Sequence, residues 1–160
     1  NQIYFYSNGA TTTTNSFSVG QGFAASTDNI GFIYNRANAA VIIGTNSTER
    51  LRIDGTGNAT FIQAVRATIT TDNDLSFDMN AASNFKCTPT AGGALTFTNI
   101  TSGQTGNIIL VNGSNYAITA AATTKVSATC LATISATGTY WLSYYSDGTN
   151  VYVANTGAVA

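Results

Sequence analysis

No segment of this chain sustains an apolar repeat at i, i+3, i+4 and i+7, which removes the amphipathic helix as its building unit. Alternation takes its place. Across residues 139–146, Tyr140, Leu142 and Tyr144 share one face of an extended chain and Trp141, Ser143 and Tyr145 the other. Thr, Ser, Asn and Gly make up 72 of the 160 residues, so turn formers recur every few positions and the strands between them are short. An all-β fold with almost no helix is expected. Only 8% of residues are charged, against ~25% in ordinary soluble domains. So uncharged a surface gives a lone molecule little colloidal repulsion and leaves open strand edges free to associate. A tight homo-oligomer resolves both problems.

The few charges are concentrated. All but Lys125 and Asp147 lie between Asp28 and Lys86, and the densest run is IIGTNSTERLRIDGTGN at 42–58. Strand parity there sets Glu49, Leu51 and Ile53 on one face and Arg50, Arg52 and Asp54 on the other, so Glu49 and Asp54 are not expected to pair. Asp54-Gly55-Thr56-Gly57-Asn58 then closes the strand as a turn. A face carrying two arginines and a carboxylate needs partners, and the rest of the chain has few to give. Arg50, Arg52 and Asp54, with Leu51 and Ile53 behind them, are therefore the candidate contacts between copies, the charged three through cross-chain ion pairs.

Thr45, Asn46, Glu49, Arg50, Leu51, Arg52, Ile53, Asp54, Gly57 and Asn58 together form a pattern that resembles a module of bacteriophage tail-fibre and virion-appendage proteins. Relatives often continue with a glycine-valine-glycine-isoleucine type run, where this chain has Ala59-Thr60-Phe61-Ile62. The resemblance implies an elongated, trimeric β-shaft.

Two modules are expected, 1–65 and 66–160. The first reads as short strands at 3–7, 16–19, 30–34, 40–43, 50–53 and 59–63. Turns fall at Asn8-Gly9, Gly20-Gln21-Gly22 and Asn46-Ser47, and the Thr11–Thr14 run reads as strand or solvated loop. The second carries more regular strands at 67–71, 75–78, 84–88, 94–99, 107–111, 116–119, 131–135, 139–146 and 150–154, a count and spacing that suggest a sandwich. Its clearest hairpin turns at Asp147-Gly148. Leu95-Thr96-Phe97-Thr98-Asn99, Gly103-Gln104, Gly138-Thr139-Tyr140 and Asp147-Gly148-Thr149-Asn150-Val151-Tyr152 are similar to the terminal β-sandwich of many marine phage virion proteins. The expected architecture is thus an intertwined β-rich shaft followed by an antiparallel, jelly-roll-like sandwich knob. Asn1 is no initiator Met and the first residues already read as strand, so further chain upstream is expected.

Little of the chain suggests catalysis. There is no histidine, which removes His-based triads and His-ligated zinc. Cys87 and Cys130 could be bonded or could be two buried thiols; the second reading suits folding in a reducing cytosol. Asp72-Asn73-Asp74 is the one close carboxylate pair that a glycan-hydrolysing enzyme could use. It reads first as a turn, and as a calcium loop it lacks the remaining ligands. No catalytic residue, metal or cofactor is expected. The net charge of −1 offers no footprint for nucleic acid, and no apolar run approaches the ~20 residues needed to cross a bilayer. Asn-x-Ser/Thr triplets are expected by chance in so Asn- and Thr-rich a chain. Arg36 reads as a surface or cross-subunit ion pair.

Most aromatics must fill the core, since Leu is scarce. Trp141, Tyr145 and Tyr144 are the candidates for receptor binding or subunit contact, and Tyr4, Phe5 and Tyr6 could also stack on sugars. The function expected is that of a non-enzymatic virion protein, the distal part of a homotrimeric fibre or spike. It would contact other virion proteins and attach to a host-surface glycan. A capsid-surface decoration or fibre protein is the alternative, ahead of a glycan depolymerase or a bacterial surface adhesin.

Overall fold

The computed structural model describes residues 2–6, 16–21 and 31–159; for Gln2–Tyr6, Ser16, Ser18, Gln21 and Thr156 it describes the backbone alone. The Asn8-Gly9 turn, the Thr11–Thr14 run and the side chains of Tyr4, Phe5 and Tyr6 lie outside the described residues. The chain divides into two compact units, Asn1–Val65 and Arg66–Ala160, and its described residues are all-β apart from one short helix.

The first unit holds two three-stranded antiparallel sheets, each a simple meander. Strands β1 (Gln2–Tyr6), β2 (Ser16–Gln21) and β3 (Gly31–Asn35) form one; β4 (Val41–Thr45), β5 (Thr48–Ile53) and β6 (Ala59–Phe61) form the other. Asn46 and Ser47 link β4 to β5 with φ of 51° and 55°. Both central residues of this two-residue turn are left-handed, the geometry whose twist matches a hairpin. Among the described side chains from Phe17 to Val65, none is buried.

The second unit winds. Strands β7 (Ile69–Thr71), β8 (Ser76–Asp78), β9 (Asn84–Cys87), β10 (Gly93–Thr98), β11 (Thr105–Asn112) and β12 (Ile118–Ala120) alternate between two layers. Within each layer they stack in parallel: β7 on β9 on β11, and β8 on β10 on β12. The two-layer sandwich is therefore present, but these ladders run parallel where an antiparallel, jelly-roll-like arrangement was expected. The reason lies in the turns. Each crosses to the opposite layer instead of reversing within one, and successive crossings stack by side-chain hydrogen bonds. Asn73 Oδ1 accepts from the Thr88 N–H at 2.8 Å, and Asn99 Nδ2 donates to Asp78 Oδ1 at 2.7 Å.

The winding ends in a cap that is antiparallel except for the short parallel pairing of its outermost strand. Strand β13 (Thr124–Lys125) pairs with β15 (Val151–Val159), β15 with β14 (Gly138–Ser146), and β14 with β11, giving a six-stranded sheet. Residues 131–135, expected as a strand, instead belong to helix α1 (Ala128–Ser135). Ser127 caps it, its side chain accepting the Cys130 N–H at 3.1 Å. Cys130 and Ile134, four apart, turn its buried face inward. Asn112, fully buried, secures the far end: its amide donates to the carbonyls of Tyr116, Ile134 and Ser135.

The core lies between the two layers. Phe77, Leu95 and Phe97 face Phe85, Ile108, Leu110, Leu142 and Tyr144, with the Phe77 ring 5.1 Å from Phe85 and 5.5 Å from Phe97. Each fully buried large side chain contributes ~1.5–3 kcal/mol. Cys87 and Cys130 are both free and buried, and burial pushes the Cys87 thiol up to about 11. One close approach holds the β9–β11–β14 junction. The Ser83 carbonyl accepts from the Tyr144 hydroxyl at 2.9 Å and from the Asn107 N–H at 3.1 Å. It fits there because Gly106 has no side chain: a Cβ would sit 1.6 Å from that oxygen. Gly106→Ala is expected to lower unfolding free energy by at least ~3 kcal/mol, measured by denaturant titration; a loss below ~1 kcal/mol would contradict this packing.

Candidate functional site

Two surfaces carry the residues singled out by the sequence. The first is the β4–β5–β6 sheet. Its register sets Val41, Ile53 and Ala59 side by side, and Ile43, Leu51 and Phe61 beside them. All six share one face. Ile43, Ile53 and Phe61 are 51%, 42% and 57% exposed, so about half of each large side chain meets solvent.

On the opposite face, parity breaks. The β4–β5 register steps from Ile43↔Leu51 to Gly44↔Glu49, leaving Arg50 as the extra residue of a bulge. The bulge returns Glu49 to the face of Arg52. The Arg52 guanidinium there forks onto the Glu49 carboxylate, Nε to Oε1 at 2.8 Å and Nη2 to Oε2. Glu49's hydrogen bond and charge, with help from Asp54, hold the Arg52 pKa above its ordinary value. Asp54 is likewise satisfied within its own turn. Its carboxylate accepts from the Thr56 hydroxyl at 2.7 Å, the Thr56 N–H and both nitrogens of Asn58. Thr56 and then Asn58 hold that carboxyl far below the usual range. Arg50 Nε donates to Thr45 Oγ1 at 3.0 Å. Arg50, Arg52 and Asp54, expected in cross-chain ion pairs, each have a partner within the chain, and for Arg52 the bulge supplies a carboxylate that simple alternation placed on the other side. Leu51 and Ile53 remain on the apolar face. Arg36, expected in an ion pair, lies over the Tyr34 ring, 5.3 Å from its centroid.

The second surface is the outer face of the six-stranded sheet. Inward burial of Tyr140, Leu142 and Tyr144 commits Trp141, Ser143 and Tyr145 to this outer face. Trp141 is 49% exposed. Tyr144 is the exception among the receptor candidates. It is core, its hydroxyl spent on Ser83 and its ring 5.3 Å from Phe97, so it presents nothing to a ligand.

Register then brings in residues the sequence did not flag. Ile109 lies opposite Trp141, Lys86 beside Ile109, Asn107 opposite Ser143, Asn84 beside Asn107 and Ile69 beside Asn84. They line a groove of about 560 Å³ with Trp141 at one side. The indole Nε1 donates to Asn107 Oδ1 at 3.0 Å, and Asn107 Nδ2 donates to Asn84 Oδ1 at 3.3 Å. Polar–apolar alternation in Asn84-Phe85-Lys86-Cys87 was the available signal for part of this, since it puts Asn84 and Lys86 on one face. At the other end of the sheet Tyr145 and Tyr152 face each other across β14 and β15.

Asp72 and Asp74 share a hydrogen bond. Burial and then that bond push Asp72 up, while the same bond and the Ser76 N–H hold Asp74 down. Among the described residues, no group of three or more Cys, Asp or Glu is placed to hold a metal. No helix among them is long and apolar enough to cross a membrane. No family model, curated protein or solved structure matches the chain.

Asp147 ties the aromatic end of this face to its turn. Its carboxylate accepts the Asn150 N–H at 2.7 Å, the Thr149 N–H at 2.8 Å and the Tyr152 hydroxyl at 2.9 Å. These bonds, the two amides foremost, lower its pKa from 3.8 to about 2. A folded value below the unfolded one means the turn's extra stability is complete above the unfolded value and is lost as pH falls through the folded one. The Thr149 and Asn150 amide shifts should therefore titrate together with a midpoint near 2; a midpoint at the ordinary 3.8 would show the bonds absent. Asp147→Asn should remove the transition.

Proposed function

We propose that this chain is a non-enzymatic virion structural protein, part of a homotrimeric phage fibre or spike that attaches to the host surface. The observation that carries the reading lies among the first unit's described residues. From Phe17 to Val65 no described side chain is buried, yet the β4–β5–β6 sheet presents a continuous apolar face. Covering Ile43, Ile53 and Phe61 against the same face of sister copies recovers roughly 1 kcal/mol apiece, and a closed ring of copies repeats that gain at every interface. The resemblance of the 45–58 run to tail-fibre modules supplies the virion setting and the number three. Leu51 and Ile53 are the contact residues in this reading. Arg52 stays with Glu49 on the outside of the ring, where an exposed pair contributes ~0–1 kcal/mol.

Native mass spectrometry of the whole chain tests it, with a trimer expected. Ile53→Asp with Phe61→Asp should release monomers while the Trp141 emission of the second unit is unchanged. Arg52→Ala should leave the trimer in place, with melting shifted by no more than an exposed pair is worth. A wild-type monomer overturns the reading, as does antibody labelling of intact particles that finds no copy on them.

A further inference from the structure

The groove beside Trp141 has a polarity set by its own hydrogen bonds. An indole nitrogen can only donate. Trp141 Nε1 therefore fixes the Asn107 amide with its oxygen toward the indole, and Asn107 Nδ2 in turn fixes Asn84 with its oxygen toward Asn107. Among the described residues the Asn84 amide nitrogen has no acceptor, so both its hydrogens are unspent. Two strand positions on, Lys86 adds an ammonium that has no carboxylate within 4.0 Å among the described residues. Its neighbour in sequence, Cys87, faces the core. The groove thus combines a half-exposed indole, an apolar floor at Ile109 and Ile69, and spare donors with one positive charge. Its volume of about 560 Å³ lies inside the roughly 300–1,000 Å³ of small-molecule sites.

We infer that this groove binds an acidic pyranoside, whose C–H face stacks on the Trp141 ring while its carboxylate meets Lys86 and its hydroxyls accept from Asn84. A sugar ring supplies the flat apolar face that Trp141 and Ile109 match. A carboxylate supplies acceptors where the groove offers donors, and a charge-assisted bond to an ammonium is the stronger kind. The inference deepens the attachment reading above by naming a ligand class. It rests on that reading only for where such a sugar would be met.

Trp141 is the sole tryptophan, so emission excited beyond the tyrosine absorption band reports on this groove alone. The full chain is titrated with methyl glucuronide and, separately, with methyl glucoside. The expected result is a saturable emission change for the glucuronide at millimolar concentration and a weaker one for the glucoside. Lys86→Gln, an exposed change that spares the fold, should cost about tenfold in glucuronide affinity and leave the glucoside unaffected. Trp141→Ala should abolish saturation-transfer signals from both sugars. Equal affinity for the two glycosides, binding unchanged by Lys86→Gln, or silence toward both overturns the assignment. An emission that shifts on simple dilution gives the face to contact between copies and overturns it too. Saturable binding by a wild-type monomer would sink the fibre reading and leave this one standing.

Discussion

Everything on the outer face of the second unit follows from what its inner face buries. In β14 the core takes Tyr140, Leu142 and Tyr144, and period-two geometry leaves the alternate positions no choice but the opposite side. Trp141 is exposed because its neighbours are not. The same holds along β9 and β11, where buried Phe85, Cys87, Ile108 and Leu110 push Asn84, Lys86, Asn107 and Ile109 outward. A slip of one residue in any of these strands would exchange the two sets and dismantle core and groove together.

Scarcity of charge shapes the rest. With few ionic partners to call on, the polar groups are satisfied locally and by neutral neighbours. Asp54 and Asp147 spend their carboxylates within their own turns, Asp78 with Asn99 and Asn73 with Thr88 join successive windings, and buried Asn112 holds the end of the helix. These bonds are short-range and little affected by salt. They suit a surface that is almost neutral. The cost falls on the first unit, where Arg52 pairs with Glu49 on one face and Ile43, Ile53 and Phe61 stay about half exposed on the other.

Parity is also where reading the sequence succeeded and where it failed. The hairpin at Asp147-Gly148, the exposure of Trp141 and Tyr145, and the burial of Tyr140 and Leu142 followed from alternation. Two exceptions came from departures that alternation cannot register. A single extra residue at Arg50 carried Glu49 across to Arg52. Residues 131–135 pattern as a strand because the helix they belong to is only two turns long. Its Ser127 cap and the four-residue step from Cys130 to Ile134 were too little to stand out. Tyr144 departs from expectation for a different reason: alternation gives its parity but not its use as a hydrogen-bond anchor for Ser83.

Taken alone, the sequence determined an all-β chain, short strands, a surface poor in charge, and which residues of a strand travel together. These are local consequences of side-chain spacing and turn chemistry. Only the tertiary structure decided whether a turn such as Thr71-Asp72-Asn73-Asp74 reverses the chain within a sheet or carries it to the other layer. That choice made the ladders parallel and set the row of Ile69, Asn84 and Asn107 beside the row of Lys86, Ile109 and Trp141. The reason is that spacing encodes a residue's face but not its partner strand; partners are chosen when the aromatic core closes between the layers.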